Sequence, residues 1–235
     1  ENGVEVENER GFSRAYSYNG GVGFSTRLYG IFYSKGGYFQ AFRHVMSPSV
    51  SMSYSPDFST RDKFFDVVQT NIDTTGLAPD PEINPNYRRV SRFQNSVFGG
   101  PSQGESGSIN FSLNNNFEAK VRDKKDTTGT GTKKISILDN LSIGSSYNLL
   151  ADSFNLSNIR ISARTAFFDK KINLQSNATI DPYAYQPVDV AEAEETNVQE
   201  FKRVDQFAWT AGQGIGQVQS ASLSLNTSLN PKLFK

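Results

Sequence analysis

The sequence predicts an all-β protein, an antiparallel transmembrane β-barrel to which this chain contributes roughly eight long strands. Three observations carry that expectation. Period-two alternation recurs in stretches longer than the ~5 to 6 residues of an ordinary strand. The polar phase is mostly small and neutral, rich in Ser and Asn, where a soluble sandwich would present Lys, Glu and Thr. The connections also fall into a short set and a long set, as in barrels that alternate tight turns with long outer loops.

The elements follow in order. Tyr16, Tyr18, Val22, Phe24 and Leu28 alternate with Ser17, Asn19, Ser25 and Arg27. Pro48, Val50, Met52 and Tyr54 alternate with Ser49, Ser51, Ser53 and Ser55. The clearest run sets Ile109, Phe111, Leu113, Phe117, Ala119 and Val121 against Asn110, Ser112, Asn114, Asn116, Glu118, Lys120 and Arg122. Further runs carry Leu141 to Leu149, Ile159 to Phe167, Ile172 to Ile180 and Ala221 to Leu229, with a weaker segment at Phe207-Ala208-Trp209. Several of these exceed the ~9 to 11 residues that a tilted strand needs to cross a bilayer. The polar phase then suits a water-filled lumen and the apolar phase suits lipid. Aromatic residues near strand ends, among them Tyr29, Tyr54, Phe58, Tyr147, Tyr183 and Trp209, would supply interfacial girdles, although aromatics favour strands in any case.

The connections read Ser34 to Gly37, Ser55 to Glu105, Asp123 to Lys133, Leu150 to Ser157, Asp169-Lys170, Pro182 to Asp205 and Gly212 to Gly216. Sorting them alternately puts both long ones, near 55–105 and 182–205, on one side, which the barrel reading makes the outer side. Both ends of the chain would then lie on that side. The expectation is therefore that residues 1–235 form a single internal segment of a longer barrel. The start, Glu1 to Glu7, is acidic and lacks the apolar core of a signal peptide, which points to a processed chain, a fragment or a cytosolic protein.

Composition excludes several functions. The 235 residues hold 24 Lys+Arg and 24 Asp+Glu, so no net charge favours nucleic acid. There is no Cys, which removes disulfides, thiolate metal sites and cysteine nucleophiles. A single histidine, His44, leaves little for a zinc site or a histidine relay. No run approaches the ~18 apolar residues of a membrane helix, and alternating strands escape that test. No catalytic residue, cofactor site or metal site is specified, and the chain is read as a non-enzyme. The glycine-rich Gly212-Gln213-Gly214-Ile215-Gly216 reads as a flexible turn, because no strand–loop–helix context surrounds it. The acidic cluster Asp189, Glu192, Glu194 and Glu195 reads as a solvated loop.

Five cations share the polar phase: Arg27, Lys120, Arg122, Arg160 and Arg164. In a lumen they would meet a polyanionic, phosphate-bearing cargo, which guanidinium groups match bidentately. The competing reading leaves them above the membrane or paired with lumenal carboxylates such as Glu118. Both stay open at this level.

The stretches Thr26-Arg27-Leu28-Tyr29-Gly30, Arg43-His44-Val45-Met46-Ser47-Pro48-Ser49-Val50-Ser51, Tyr54-Ser55-Pro56-Asp57-Phe58, Phe98-Gly99-Gly100-Pro101-Ser102 and Ser106 to Asn116 resemble the LptD-like lipopolysaccharide-assembly proteins. So do Lys124-Lys125-Asp126, Ser145-Ser146-Tyr147-Asn148 and Asp181-Pro182-Tyr183. The resemblance implies a very large barrel in the outer membrane of a Gram-negative bacterium, which inserts lipopolysaccharide into the outer leaflet. It implies an LptE-type plug lipoprotein and periplasmic lipopolysaccharide bridge proteins as partners, with outer-membrane lipid around the wall. The cysteines that link a periplasmic domain to the barrel in the best-known branch have no counterpart here. A passive porin or substrate-specific channel would share the alternation and the loops, and a soluble secreted β-sheet binding module is the third reading.

Overall fold

The computed structural model describes residues 11–61, 63–123, 131–167, 171–187 and 200–227. All regular structure among them is β. The strands are β1 (Gly20–Ser25), β2 (Leu28–Tyr33), β3 (Phe39–Ser55), β4 (Phe65–Gln69), β5 (Tyr87–Ser91), β6 (Ser106–Arg122), β7 (Thr132–Asn148), β8 (Ile159–Phe167), β9 (Ile172–Asp181), β10 (Tyr183–Pro187), β11 (Phe201–Phe207) and β12 (Gln217–Thr227). Two compact units form: Glu1–Gly21 with Ser53–Gly107, and Val22–Met52 with Ser108–Lys235.

The larger unit rests on one sheet in the order β1-β3-β6-β7-β8-β9-β12, with β2 also on β3. Among the described residues this sheet is open, with β1 and β2 at one edge and β12 at the other. Strands β1 and β2 share one position: β2 pairs from Leu28 opposite Met46 to Tyr33 opposite Ala41, and the Thr26 N–H donates to the Pro48 carbonyl at 3.2 Å. The expected eight strands therefore become seven positions. The expected strand at Phe207-Ala208-Trp209 accounts for the difference. Phe207 ends β11, which pairs with β10 outside the main sheet, and Ala208 begins a turn. With an odd number of passes the start of β1 and the end of β12 lie at opposite ends of the sheet, whereas the eight expected strands would put both on one side.

Bulges keep the two faces in phase. Between Asn115 opposite Leu141 and Glu118 opposite Ser136, β7 uses two more residues than β6. Two extra residues restore the parity that one would reverse, so Ser112 opposite Gly144 and Lys120 opposite Lys134 lie on the same face. The carbonyls this irregularity strands are met by side chains. Asn116 Nδ2 donates to Asp139 and Leu138 at 2.9 and 3.4 Å, Asn115 Nδ2 to Leu141 at 3.3 Å, and Thr165 Oγ1 to Ile137 at 2.8 Å. On β12 the single bulge at Gln219 lets Val218 and Ala221 fall on one face, opposite Ile180 and Ala178. The Gln219 amide accepts from Asn158 at 2.7 Å and donates to Asp181 at 3.1 Å.

The described parts of both long connections carry regular structure, which the sequence did not show. In the second, β10 pairs with β11 close to Asp181, which is fully buried. Its carboxylate pairs with Arg203 at 2.7 Å and accepts from Tyr183 N–H and Tyr185 O–H, both at 3.1 Å. The Arg203 guanidinium lies 4.4 and 4.6 Å from the ring centres of Phe154 and Tyr183, and Tyr183, Phe207 and Trp209 stack in series. The glycine-rich turn is pinned rather than flexible. Gln213 bonds both main-chain groups of Tyr185, and Gly212, Gly214 and Gly216 hold positive φ.

The smaller unit is the other long connection. Its core is Phe58, Phe64 and Phe65, with Ala15 and Phe93 packed against it. Tyr16 and Tyr18 meet Phe64 and Phe58 edge-on at 5.1 Å, and Arg61 donates to both tyrosine hydroxyls. The β4–β5 hairpin extends from this core, and its far turn is organised on Asp73 and the buried Asn84. Alternation is too brief in the two five-residue strands for a periodicity reading to register them.

Candidate functional site

The candidate site is the polar face of the large sheet. Register carries it across five strands: Ser112, Gly144, Arg160, Thr179 and Ser220 form one row. Asn114, Ser142, Ser162, Asn177 and Ser222 form the next. Ser49 joins from β3 through a 2.7 Å hydroxyl bond to Ser112. The opposite face is apolar in the same register, with Leu113, Ile143, Ile161, Ala178 and Ala221 in one row. Much of that apolar face is open: Leu223 and Leu225 are 70% and 65% exposed, and Phe24 is 73% exposed. Uncovered apolar surface on this scale needs a non-aqueous or protein partner.

The five sequence-predicted cations do not converge on one point. Arg160 and Arg164 lie two rows apart on β8, opposite Gly144 and Asn140. Gly144 puts no side chain in front of Arg160. Lys120 and Arg122 sit at the far end of β6, where Lys120 is directly opposite Lys134. Arg27 falls in the break between β1 and β2, level with Ser47. All five side chains are exposed, and none forms an ion pair among the described residues. Glu118, the carboxylate that the competing reading offered them, takes Lys134 at 2.7 Å and Arg43 instead. Arg43 and Lys134 are thus cations of the same face that alternation alone did not single out. Cross-strand register was the missing signal.

His44 and Asn115 are paired polar residues on the apolar face. His44 Nε2 donates to Asn115 Oδ1 at 2.9 Å, and the imidazole stacks on Phe117 at 4.2 Å. The acidic cluster Asp189, Glu192, Glu194 and Glu195 lies outside the described residues. Among the described residues, no group of three or more His, Asp or Glu side chains is placed to hold a metal ion.

In the folded connection 56–105, the Asp73 carboxyl is held down at about 2 by the Thr75 hydroxyl and N–H and by the Asn84 amide. Burial pushes Asp57 up, but bonds from the Ser59 N–H and hydroxyl and the Gly104 N–H outweigh it and leave the group below its usual range.

A two-faced sheet of long antiparallel strands, polar on one side and uncovered apolar on the other, is what the comparisons with known proteins meet. The family described as LptD protein matches residues 1–183. The chain belongs to the LptD family. No curated protein and no solved structure matches it. LptD proteins belong to the outer membrane of Gram-negative bacteria and serve lipopolysaccharide transport and assembly, with other Lpt proteins as partners. They are not known as enzymes. The span matched to LptD contains Arg27, Lys120, Arg122, Arg160 and Arg164, whereas β11 and β12 lie beyond it.

Proposed function

We propose that this chain is a wall segment of an outer-membrane barrel that conducts lipopolysaccharide and inserts it into the outer leaflet, in a Gram-negative bacterium, without covalent chemistry. One observation carries the reading: the polar and apolar faces stay in register from β6 to β12, and much of the apolar face is exposed, most of all at the two edges of the sheet. A soluble sheet would bury such a face, whereas lipid solvates it. The lumen side then carries the sugar–phosphate head group, which Arg160, Arg164, Lys120, Arg122 and Arg27 contact, while the acyl chains leave sideways into lipid. Residues 1–235 act as a single segment of that barrel, with the connections near 55–105 and 182–205 on the outer side and the first of them over the mouth. An LptE-type plug lipoprotein and periplasmic lipopolysaccharide bridge proteins are the partners this reading requires.

Reversing charge at Arg160 and Arg164 together should lower surface lipopolysaccharide and raise detergent sensitivity. Normal surface lipopolysaccharide in that variant would remove the head-group role. Depletion of the protein separates the reading from a porin, because losing a porin slows solute uptake and leaves surface lipopolysaccharide in place. Replacing 71–85 with a two-residue turn tests the mouth-covering role, since it removes the hairpin tip and spares the β4–β5 pairing. Deleting Asp73 to Ser91 would instead take β5 away and leave β4 unpaired.

A further inference from the structure

The smaller unit holds a groove of about 540 Å³ between β5 and the segment 99–103. That is within the ~300 to 1,000 Å³ range of small-molecule sites. Its floor is aromatic, from Phe65 and Phe93. Its rim carries Arg88, Gln94 and Gln103; among the described residues none of their side chains has a partner and no carboxylate lines the groove. Of its two arginines only Arg89 is neutralised, by Glu82 at 3.1 Å.

The groove is built rather than incidental. Its wall is fixed at both ends: the Gly104 N–H donates to Asp57 at 2.9 Å, and a Cβ on Gly100 would meet Phe93 Cβ at 2.8 Å and Ser91 Oγ at 2.9 Å. Glycine is thus what lets this wall close on the floor. The other wall is the free edge of β5. Bonds from Thr70 N–H to Asn86 and from Arg92 N–H to Phe64 set the ladder alternation, which turns the main-chain groups of Arg88 and Val90 toward β4 and those of Arg89 into the groove.

We propose that this groove binds an acidic sugar unit, carrying a carboxylate or a phosphate. A sugar ring presents an apolar C–H face to the phenylalanines and hydroxyls to the Gln94 and Gln103 amides, which both donate and accept. Its anionic group pairs with Arg88, whose planar fork matches either oxyanion. The site is separate from the polar face of the sheet and stands whether or not the transport reading does.

The test uses the full chain folded in detergent, titrated by calorimetry and by saturation-transfer NMR with digalacturonate, glucose 1-phosphate, maltose and inorganic phosphate. The two charged sugars should bind, with maltose at least tenfold weaker and inorganic phosphate weaker than glucose 1-phosphate. Binding of only one charged sugar would support the site and assign it to the carboxylate or the phosphate form. Arg88→Gln, at an exposed position, should remove the preference for charge, and Gln103→Ala should weaken both charged sugars. Inorganic phosphate binding as tightly as glucose 1-phosphate would overturn the proposal, as would unchanged affinity in Arg88→Gln. So would absence of sugar binding, the result expected if the free β5 edge instead receives an extended polypeptide. Surface lipopolysaccharide measured in the same Arg88→Gln strain reports separately on transport.

Discussion

His44 Nε2 lies 2.9 Å from Asn115 Oδ1, and both residues occupy the apolar phase of their strands. Both polar atoms of the amide are met: its oxygen accepts from the imidazole, and its nitrogen donates to the Leu141 carbonyl. On an apolar face, a polar atom shielded from water costs free energy unless it is hydrogen-bonded, which is why the two occur together.

Asn115→Leu should therefore destabilise the folded chain by about 1 to 3 kcal/mol, because His44 loses its acceptor and Leu141 its donor. His44→Phe should cost less, since it keeps the stack on Phe117. The double variant should recover part of the loss, a coupling that urea midpoints of the chain in detergent would read as non-additivity. Strict additivity would mean that the two residues act independently.

Asn116→Asp removes both donors to the Leu138 and Asp139 carbonyls and sets a negative charge beside them. The expected cost is about 2 to 3 kcal/mol, larger than for Asn116→Ser, measured again by urea midpoint.

Glu118→Gln leaves Arg43, Lys134 and the directly opposed Lys120 without a countercharge. Both cationic partners are substantially exposed, so solvent screening limits the cost to about 1 kcal/mol at low salt. The difference from wild type should shrink as salt rises, and a salt-independent difference would point to packing instead.

The Asp73 carboxyl, held at about 2, lies below its unfolded value of 3.8. A depressed carboxyl stabilises the folded form above its unfolded pKa, and that contribution fades as pH falls from about 4 to about 2. Hydrogen exchange at the Thr75 amide should accelerate relative to Phe64 across that window. In Asp73→Asn the relative rates should stay flat with pH.

Gly216→Ala would place a methyl group 2.1 Å from the Asp181 carbonyl oxygen, at a φ of 130° that L-residues avoid. The loss should exceed about 2 kcal/mol and release Arg203 from between Phe154 and Tyr183. Near-ultraviolet dichroism of the Tyr183–Phe207–Trp209 stack would record that release.

Alternation made the long strands legible. In β6, β8 and β9 the side chains contrast so sharply between phases that the sequence period alone separates the faces. Polar exceptions such as Asn115 were invisible, because their reason is the carbonyl of Leu141 on the neighbouring strand. The two hairpins in the long connections escaped for a similar cause. β4 and β10 are five residues each, and what fixes them is packing from distant residues, Tyr16 on Phe64 and Phe154 on Arg203. Of the candidate cations, the sequence supplied the face and the register supplied the neighbours, so Arg43 and Lys134 emerged only once Glu118 was seen between them.

The paired irregularity in β7 also bears on the geometry of any closed wall built from this sheet. Because β7 takes two more residues than β6 to cover the same stretch, rows of side chains step along the strand as they pass that seam. In a closed sheet such steps sum to the shear, and the shear together with strand number fixes the strand slant and the bore. In any such closed wall Asn115, Asn116 and Thr165, by holding the extra residues in place, would take part in setting the bore.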